Sequence, residues 1–307
     1  MSREISVFAP AKINLFLEVL GKRENKYHDI STLFAKTAFG DNVKIAVEKS
    51  DSVSIELKLK GPFAGNIKSG KTNLAYKAAD AFFDFFAIKT NCSIRLEKNV
   101  PPSSGLGGGS SDAAAIIKGL CALFNIETNA KRMKDIVKLA AKLGADVPFF
   151  LYDFTFAKGE GIGEIITPVQ NRISSPYIII AYPGQPSSTK EAYQRLRLNS
   201  EDKILTNISN LNKLINSIES GSRFEEWRSL IYNKLEDCVL KRLGSVGKLK
   251  KDMLAFGADA ALMSGSGSCV FAFTNDEAKA QKIAEKINVD AATVFLTHFW
   301  RINYENN

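Results

Sequence analysis

Histidine is nearly missing from this chain: His28 and His298 are the only two imidazoles in 307 residues. Cys92, Cys121, Cys238 and Cys269 stand far apart, with no CxxC pair. A zinc centre therefore lacks its usual nitrogen and sulfur donors, and there is no dense disulfide framework. Three of the thiols lie in apolar surroundings, Cys92 beside RLE being the exception, and all read as buried and reduced. Long apolar runs are missing too. None approaches the roughly 20 residues that span a bilayer, and the longest, PYIIIAY, is strand-sized. The start, MSREISVFAPAKINLF, puts Glu4 and Lys12 where a signal peptide requires an unbroken apolar core. These absences lead us to expect a cytoplasmic protein with no membrane partner.

What is present has the balance of a globular protein, 45% apolar and 24% charged. The net charge of +8 favours anionic partners. The densest basic runs, NAKRMKD and GKLKKD, lack interleaved aromatics, so they read as solvated helix faces and not as a nucleic-acid patch.

Alternating segments fill the first hundred residues (ISVFA, INLFLEVLG, VKIAVE, VSIELKL and CSIRLEK) and are expected as strands. Between the last two, TNLAYKAADAFFDFF is expected as a helix with Leu74, Ala78, Phe82 and Phe85 on one side. The next helix would be capped by Ser110 or Ser111 and striped by Ala114, Ile117, Leu120, Cys121 and Phe124. A third, Ala130–Leu143, stops at Gly144.

Composition shifts to Gly, Ser and Pro in GEGIGEIITPVQNRISSP, which places a domain boundary between 1–160 and 161–307. Beyond it come the strand PYIIIAYPG, a helix striped by Ile204, Ile208, Leu211 and Ile215, the strand SCVFAFT, a helix over 277–287 and the strand TVFLTHFW. Strands mixed with helices, without a steady βαβ rhythm, predict an α+β fold. Its two domains would have mixed or antiparallel sheets with helices packed on them.

The most costly stretch is PPSSGLGGGSSDAAA at 101–115, since each glycine loses more backbone entropy on folding than any other residue. Bare amides of a glycine turn leading into a helix N-terminus make an anion site. Two other patterns compete with it. GNIKSGKT at 65–72 matches the Walker A pattern, but Pro62 and further loop residues separate it from the preceding strand, so it reads as a chance match. GLGGGS lacks the third glycine and the downstream acid of a dinucleotide fingerprint.

Taken with PAKINLFLEVLGKR near the start and GADAALMSGSGSCVFAF near the end, the loop resembles the three motifs of the GHMP kinases. The resemblance runs along nearly the whole chain. The longer GLGGGSSDAAA, with YHDISTLF and LGADVPFF, is similar to the members that phosphorylate a cytidine diphosphate methylerythritol. That likeness implies an ATP- and Mg²⁺-dependent small-molecule kinase, with 1–160 holding ATP and 161–307 binding the alcohol. It implies catalytic Asp146 and Lys12, the lysine keeping the carboxylate ionised and steadying the transferred phosphoryl group.

Asn14, on the strand face of Lys12, would orient the pair or bind substrate. Tyr27, His28 and Tyr193 would read the cytosine. ATP would be held by Asn73 and by Ser104, Gly105, Leu106, Gly107, Gly108, Gly109, Ser110 and Ser111, with Ser110 as the metal ligand. The loop SGSGS, Ser264 to Ser268, would border the phosphates. Two other readings stay open. One is a GHMP-type kinase for another alcohol; the other, of a different class, is a non-catalytic basic protein that binds RNA with salt-sensitive affinity.

Overall fold

The alternation of apolar residues from Ile5 to Val19 carries straight through Pro10, so the two expected N-terminal strands are one: β1, Arg3–Lys22. A computed structural model, describing residues 2–288 and 292–301, sets it beside an equally long β2, His28–Lys49. The first half of β2 gives no strand signal because Ser31, Thr32, Lys36 and Thr37 are polar yet buried. Apolar periodicity fails where buried side chains are hydrogen-bonded instead.

The chain divides into two compact units that interleave in sequence. The first comprises Met1–Ala11, Gly40–Pro102 and Gly107–Asp153. It adds β3 (Ser54–Lys60), α1 (Leu74–Phe86), β4 (Thr90–Glu97), α2 (Gly108–Leu123), α3 (Ala130–Leu143) and α4 (Val147–Leu151). β3 is an edge strand parallel to β4, and β4 pairs antiparallel with β2 from Asn42↔Glu97 to Lys49↔Thr90.

α2 packs on α1, α3 and α4. The expected Ala114, Ile117, Leu120 and Cys121 are buried, but so are Ala113, Ala115 and Ile116, because α2 is enclosed on nearly every side. On α1 the inward face is Ala75, Ala78, Ala79, Phe82 and Phe83. Phe85, expected inside, is 48% exposed: alanines face α2 and the helix turns to present them. Gly144 closes α3 as expected, its N–H donating to Ala140 O at 3.2 Å, with an extended φ of 172° and not a left-handed one.

The second unit comprises Lys12–Phe39, Ser103–Leu106 and Phe154–Asn307. It adds β5 (Phe156–Glu160), β6 (Ile165–Val169), β7 (Tyr177–Tyr182), α5 (Thr189–Arg195), α6 (Glu201–Ser220), α7 (Phe224–Trp227) and β8 (Tyr232–Asn233). After these come α8 (Glu236–Arg242), α9 (Gly244–Ala255), β9 (Ala260–Met263), β10 (Val270–Thr274), α10 (Glu277–Asn288) and β11 (Thr293–Thr297). β8 runs parallel to β1 at Phe16↔Tyr232, and β5 pairs antiparallel with β2 at Thr32↔Gly159. The Gly- and Pro-rich GEGIGEIITPVQNRISSP contains the turn and second arm of the β5–β6 hairpin.

A separate antiparallel sheet has the order β11-β7-β10-β9. Ile179, Ala181, Val270 and Ala272 pack into a core with Val246, Leu249 and Met253 of α9 and Ile283 and Ile287 of α10. On its other face Phe273 meets Phe224, Trp227 and Phe299 at ring separations of 5.6, 5.7 and 5.9 Å. Both faces are covered, which is why PYIIIAY reads as an unbroken apolar run. On α6 the buried face is Asn207, Leu211, Leu214 and Ile218, with Ile204, Ile208 and Ile215 half-buried beside it. All four cysteines are free; Cys92, Cys121 and Cys269 are buried as expected, and Cys238 is only half-buried. Burial pushes the Cys92 thiol up to about 12. Among the described residues no helix is long and apolar enough to cross a membrane.

Candidate active site

Within the second unit, three segments that are remote in sequence meet around Lys12. The side chain is only 4% exposed, and its ammonium donates to Asn14 Oδ1 at 2.7 Å. Asn14 Nδ2 donates to Thr32 Oγ1 at 2.8 Å, and that hydroxyl donates to Phe16 O at 2.5 Å. The chain of bonds fixes the amide of Asn14 and so the direction of the lysine head. Phe34 lies beneath it, 5.3 Å from ring centre to Nζ, an enclosure suited to a cation.

Lys12 N donates to Leu106 O at 2.9 Å, which ties β1 to the glycine loop. Ser264 Oγ donates to Gly105 O at 2.9 Å, and Cys269 N donates to Ser104 O at 2.9 Å, which ties the glycine loop to the SGSGS loop. A Cβ on Gly265 would stand 3.1 Å from Asn14 Oδ1, 3.2 Å from Gly105 O and 3.3 Å from Lys12 Nζ. Gly105 has to be glycine for two reasons: its φ is +84°, and a Cβ there would lie 1.9 Å from Ser264 O. Asn233, which the sequence did not single out, anchors the third loop by donating from Nδ2 to Met263 O and Gly265 O, each at 2.7 Å.

In the first unit the glycine loop becomes a helix. Gly107, left-handed at φ +70°, is the N-cap of α2 and no side chain caps that end. The expected capping by Ser110 or Ser111 is therefore wrong: both serines lie inside the first turn, because the helix begins earlier, at Gly108. The orphan N–H groups of that turn stay available to a ligand. A Cβ on Gly109 would meet nothing within 4 Å, so one side of the turn is open. Ser110 Oγ lies 3.8 Å from where a Cβ of Gly144 would be, beside the turn that carries Asp146. Asp146 is half-buried and precedes α4, and its carboxylate does not cap that helix. Asp146 and Lys12 belong to different units.

Asn73 caps α1, its Oδ1 accepting from Ala75 N at 2.9 Å and its Nδ2 donating to Lys68 O at 2.9 Å. GNIKSGKT lies on the surface between edge strand β3 and that cap, and the helix starts at Leu74, beyond the Lys71–Thr72 pair. It has neither the buried strand before it nor the helix at Lys-Thr that a Walker loop needs.

Also in the second unit, Tyr27 ends the turn after β1 and is 59% exposed. His28 opens β2 and stacks on Tyr193 of α5, with ring centres 5.1 Å apart and planes 29° apart. Burial first, and the charge of Lys22 second, hold the His28 imidazole below its usual 6.5.

A polar group that sequence reading missed lies under α2. Lys98, at the end of β4, donates to Asp41 Oδ2 at 2.5 Å and to Asp112 Oδ2 at 2.7 Å, all three side chains being buried. Burial works against the ammonium, but Asp112 and Asp41 outweigh it and raise its pKa. A single lysine in RLEKNVPP carries no pattern that would reveal this.

Among the described residues no group of three His, Cys, Asp or Glu could hold a metal ion. The loop offers hard oxygen donors, and Ser111 Oγ is buried without a hydrogen-bond partner. Hydroxyls of this kind fit a Mg²⁺ that takes its remaining ligands from phosphate and water.

Residues 73–154 match the GHMP kinases N-terminal domain and residues 208–290 the GHMP kinases C-terminal domain. A 4-diphosphocytidyl-2-C-methyl-D-erythritol kinase of Lachnoclostridium phytofermentans is 38% identical over 298 residues, 96% of this chain and 97% of the relative. One from Geobacter sulfurreducens is 34% identical over 283 residues, 92% and 94% of the two chains.

Among solved structures, a 4-(cytidine 5'-diphospho)-2C-methyl-D-erythritol kinase superposes with a TM-score of 0.73 at 29% identity, over 98% of this chain and 100% of the other. A mevalonate kinase shares the fold, with a TM-score of 0.70 at 16% identity over 96% and 99%. The α+β architecture is that of the GHMP kinases, and the chain belongs to the 4-diphosphocytidyl-2-C-methyl-D-erythritol kinase family within them.

Proposed function

We propose that this chain transfers the γ-phosphoryl group of ATP to the 2-hydroxyl of 4-diphosphocytidyl-2-C-methyl-D-erythritol, a step in non-mevalonate synthesis of isoprenoid precursors. The observation that supports it most is the meeting of Lys12, Gly105 and Gly265, from three separate motifs, at one point. Residues 1–160 take ATP: the amides of 106–110 cradle its phosphates, aided by the α2 dipole. Asn73 borders the nucleotide through the segment it closes. The Ser110 hydroxyl, together with the phosphates, would hold Mg²⁺, which would supply charge neutralisation for the transfer.

Asp146 accepts or orients the hydroxyl proton of the alcohol, and its carboxylate is not taken up in capping α4. Lys12, directed by Asn14, steadies charge on the transferring group. The rings of Tyr27 and, from 161–307, Tyr193 stack on the cytosine, and His28 hydrogen-bonds it. Phosphoryl transfer runs through a loose transition state, so the proton leaves late and positioning does most of the work. An ADP-release assay on the cytidine diphosphate substrate and a panel of other alcohols tests the reading. Turnover on the cytidine compound alone is expected; a preference for homoserine or mevalonate would reassign the alcohol.

A further inference from the structure

The glycine loop has two ends, and within the first unit one buried ammonium joins them. Before the loop, Asp41 Oδ1 accepts from the backbone N–H groups of Asn99 and Val100 at 2.6 and 2.8 Å, while its Oδ2 accepts from Lys98. After the loop, Asp112 on the first turns of α2 accepts from the same Lys98 at 2.7 Å. Lys98 Nζ also lies 3.3 Å from where a Cβ of Gly108 would be, so the ammonium sits directly behind the helix start. The neighbouring Gly109 faces open space. One side of this turn rests on the charge cluster and the other is bare.

We infer that Lys98 is a positioning residue for the phosphate cradle. Bridging Asp41 and Asp112, it clamps the base of the 101–107 segment so that the first-turn amides of α2 converge before ATP arrives. This rests on reading 106–110 as the ATP-phosphate loop. A glycine-rich segment has much freedom to lose, and fixing its two ends removes part of that loss from the binding step. The ammonium does not touch the reacting atoms. Its effect falls on nucleotide affinity and leaves the chemical step and the alcohol alone.

Steady-state kinetics of Lys98→Met test this. The KM for ATP is expected to rise about 10- to 100-fold, as loss of the loop's pre-organisation would cause. kcat should stay within about threefold and the KM for the alcohol within about twofold, the pattern of lost uniform binding. An ATP KM within about twofold of wild type overturns the inference. So does a parallel loss in ATP KM, alcohol KM and kcat, which marks a purely structural lysine.

If Lys98→Met does not fold, the uncharged triple variant Asp41→Asn/Lys98→Met/Asp112→Asn replaces it, since neutralising a whole buried cluster usually spares the fold. Calorimetric titration with ATP should then show weakened binding, and titration with the alcohol should not; wild-type ATP affinity in this variant, or a triple variant that cannot fold either, rejects the clamp. Gly107→Val is the control. If it too binds ATP normally, the phosphate-loop reading has failed. If it loses ATP while the Lys98 variants keep it, only the clamp has failed.

Discussion

At the scale of single residues, the site combines glycines that leave no room for a Cβ, at Gly105 and Gly265, with side chains proposed to act through their charge. Gly105 is the clearest case of the first. Gly105→Ala forces an L residue to φ +84° and drives a methyl group to 1.9 Å from Ser264 O. The strained dihedral alone costs about 1–3 kcal/mol, and the contact can be relieved only by parting the loops. We expect a clearly lowered melting temperature and lost turnover, both read on one purified variant. A stable, active Gly105→Ala would mean that the two loops are not locked in solution.

The charged residues make a different prediction. Asp146→Asn keeps shape and removes the negative charge, and should lower kcat by about 10²- to 10⁴-fold with both dissociation constants nearly unchanged. Lys12→Ala should damage turnover comparably, and the double variant should fall well short of the product of the two if the residues act as one device. Near-normal kcat in folded, saturated Asp146→Asn would leave the aspartate a turn residue.

At the scale of elements, the glycine run and α2 were legible before any coordinates, because a cluster of glycines followed by a small-residue helix has few other uses. The start of the helix was not. Two serines look like caps, yet Gly107 in the left-handed region lets the turn close earlier, and backbone geometry of that kind leaves no trace in composition. β2 was half hidden for the opposite reason: Thr32, Lys36 and Thr37 are buried through hydrogen bonds or charge and break the apolar pattern. The false Walker match dissolved on context alone, since β3 is an edge strand and a loop separates it from Gly65. Accordingly, Gly107→Val should abolish ATP binding, whereas Lys71→Ala should change turnover by less than about threefold, as expected for an exposed side chain. The reverse outcome would hand the phosphates to 65–72.

At the scale of the whole molecule, the residues proposed to read the cytosine are ones that sequence alone would have left as ordinary. Tyr27 looks like a loop aromatic and Tyr193 like a helix residue, and only the likeness to relatives marked them. The stack of His28 on Tyr193 now joins two of the three physically. Tyr27→Ala and Tyr193→Ala should each weaken the cytidine substrate by about 1–3 kcal/mol per lost base contact, with ATP affinity unchanged. Loss of ATP binding instead would show the substrate pocket to be misplaced.

pH offers a second test. His28 titrates below 6.5 because burial disfavours its cation. Its neutral form therefore supports the fold fully above the unfolded value, and that support is lost as pH falls through the folded one. Alcohol affinity should hold at pH 6.5 and weaken only as pH falls further, through the folded value, while ATP affinity stays flat, and His28→Gln should level the profile. A wild-type alcohol KM that is constant through that range would remove the histidine from recognition.

The chain passes between its two units five times, after Ala11, Phe39, Pro102, Leu106 and Asp153. β1 and β2 each give one length to one unit and the rest to the other. No single cut in the polypeptide yields two pieces that each own a complete set of strands. A gene split after Asp153 would leave the first unit whole on one fragment but strip the second of residues 12–39 and 103–106, which carry Lys12 and Gly105. Recombination at that point therefore cannot pass on the second unit by itself, because part of it travels with the first.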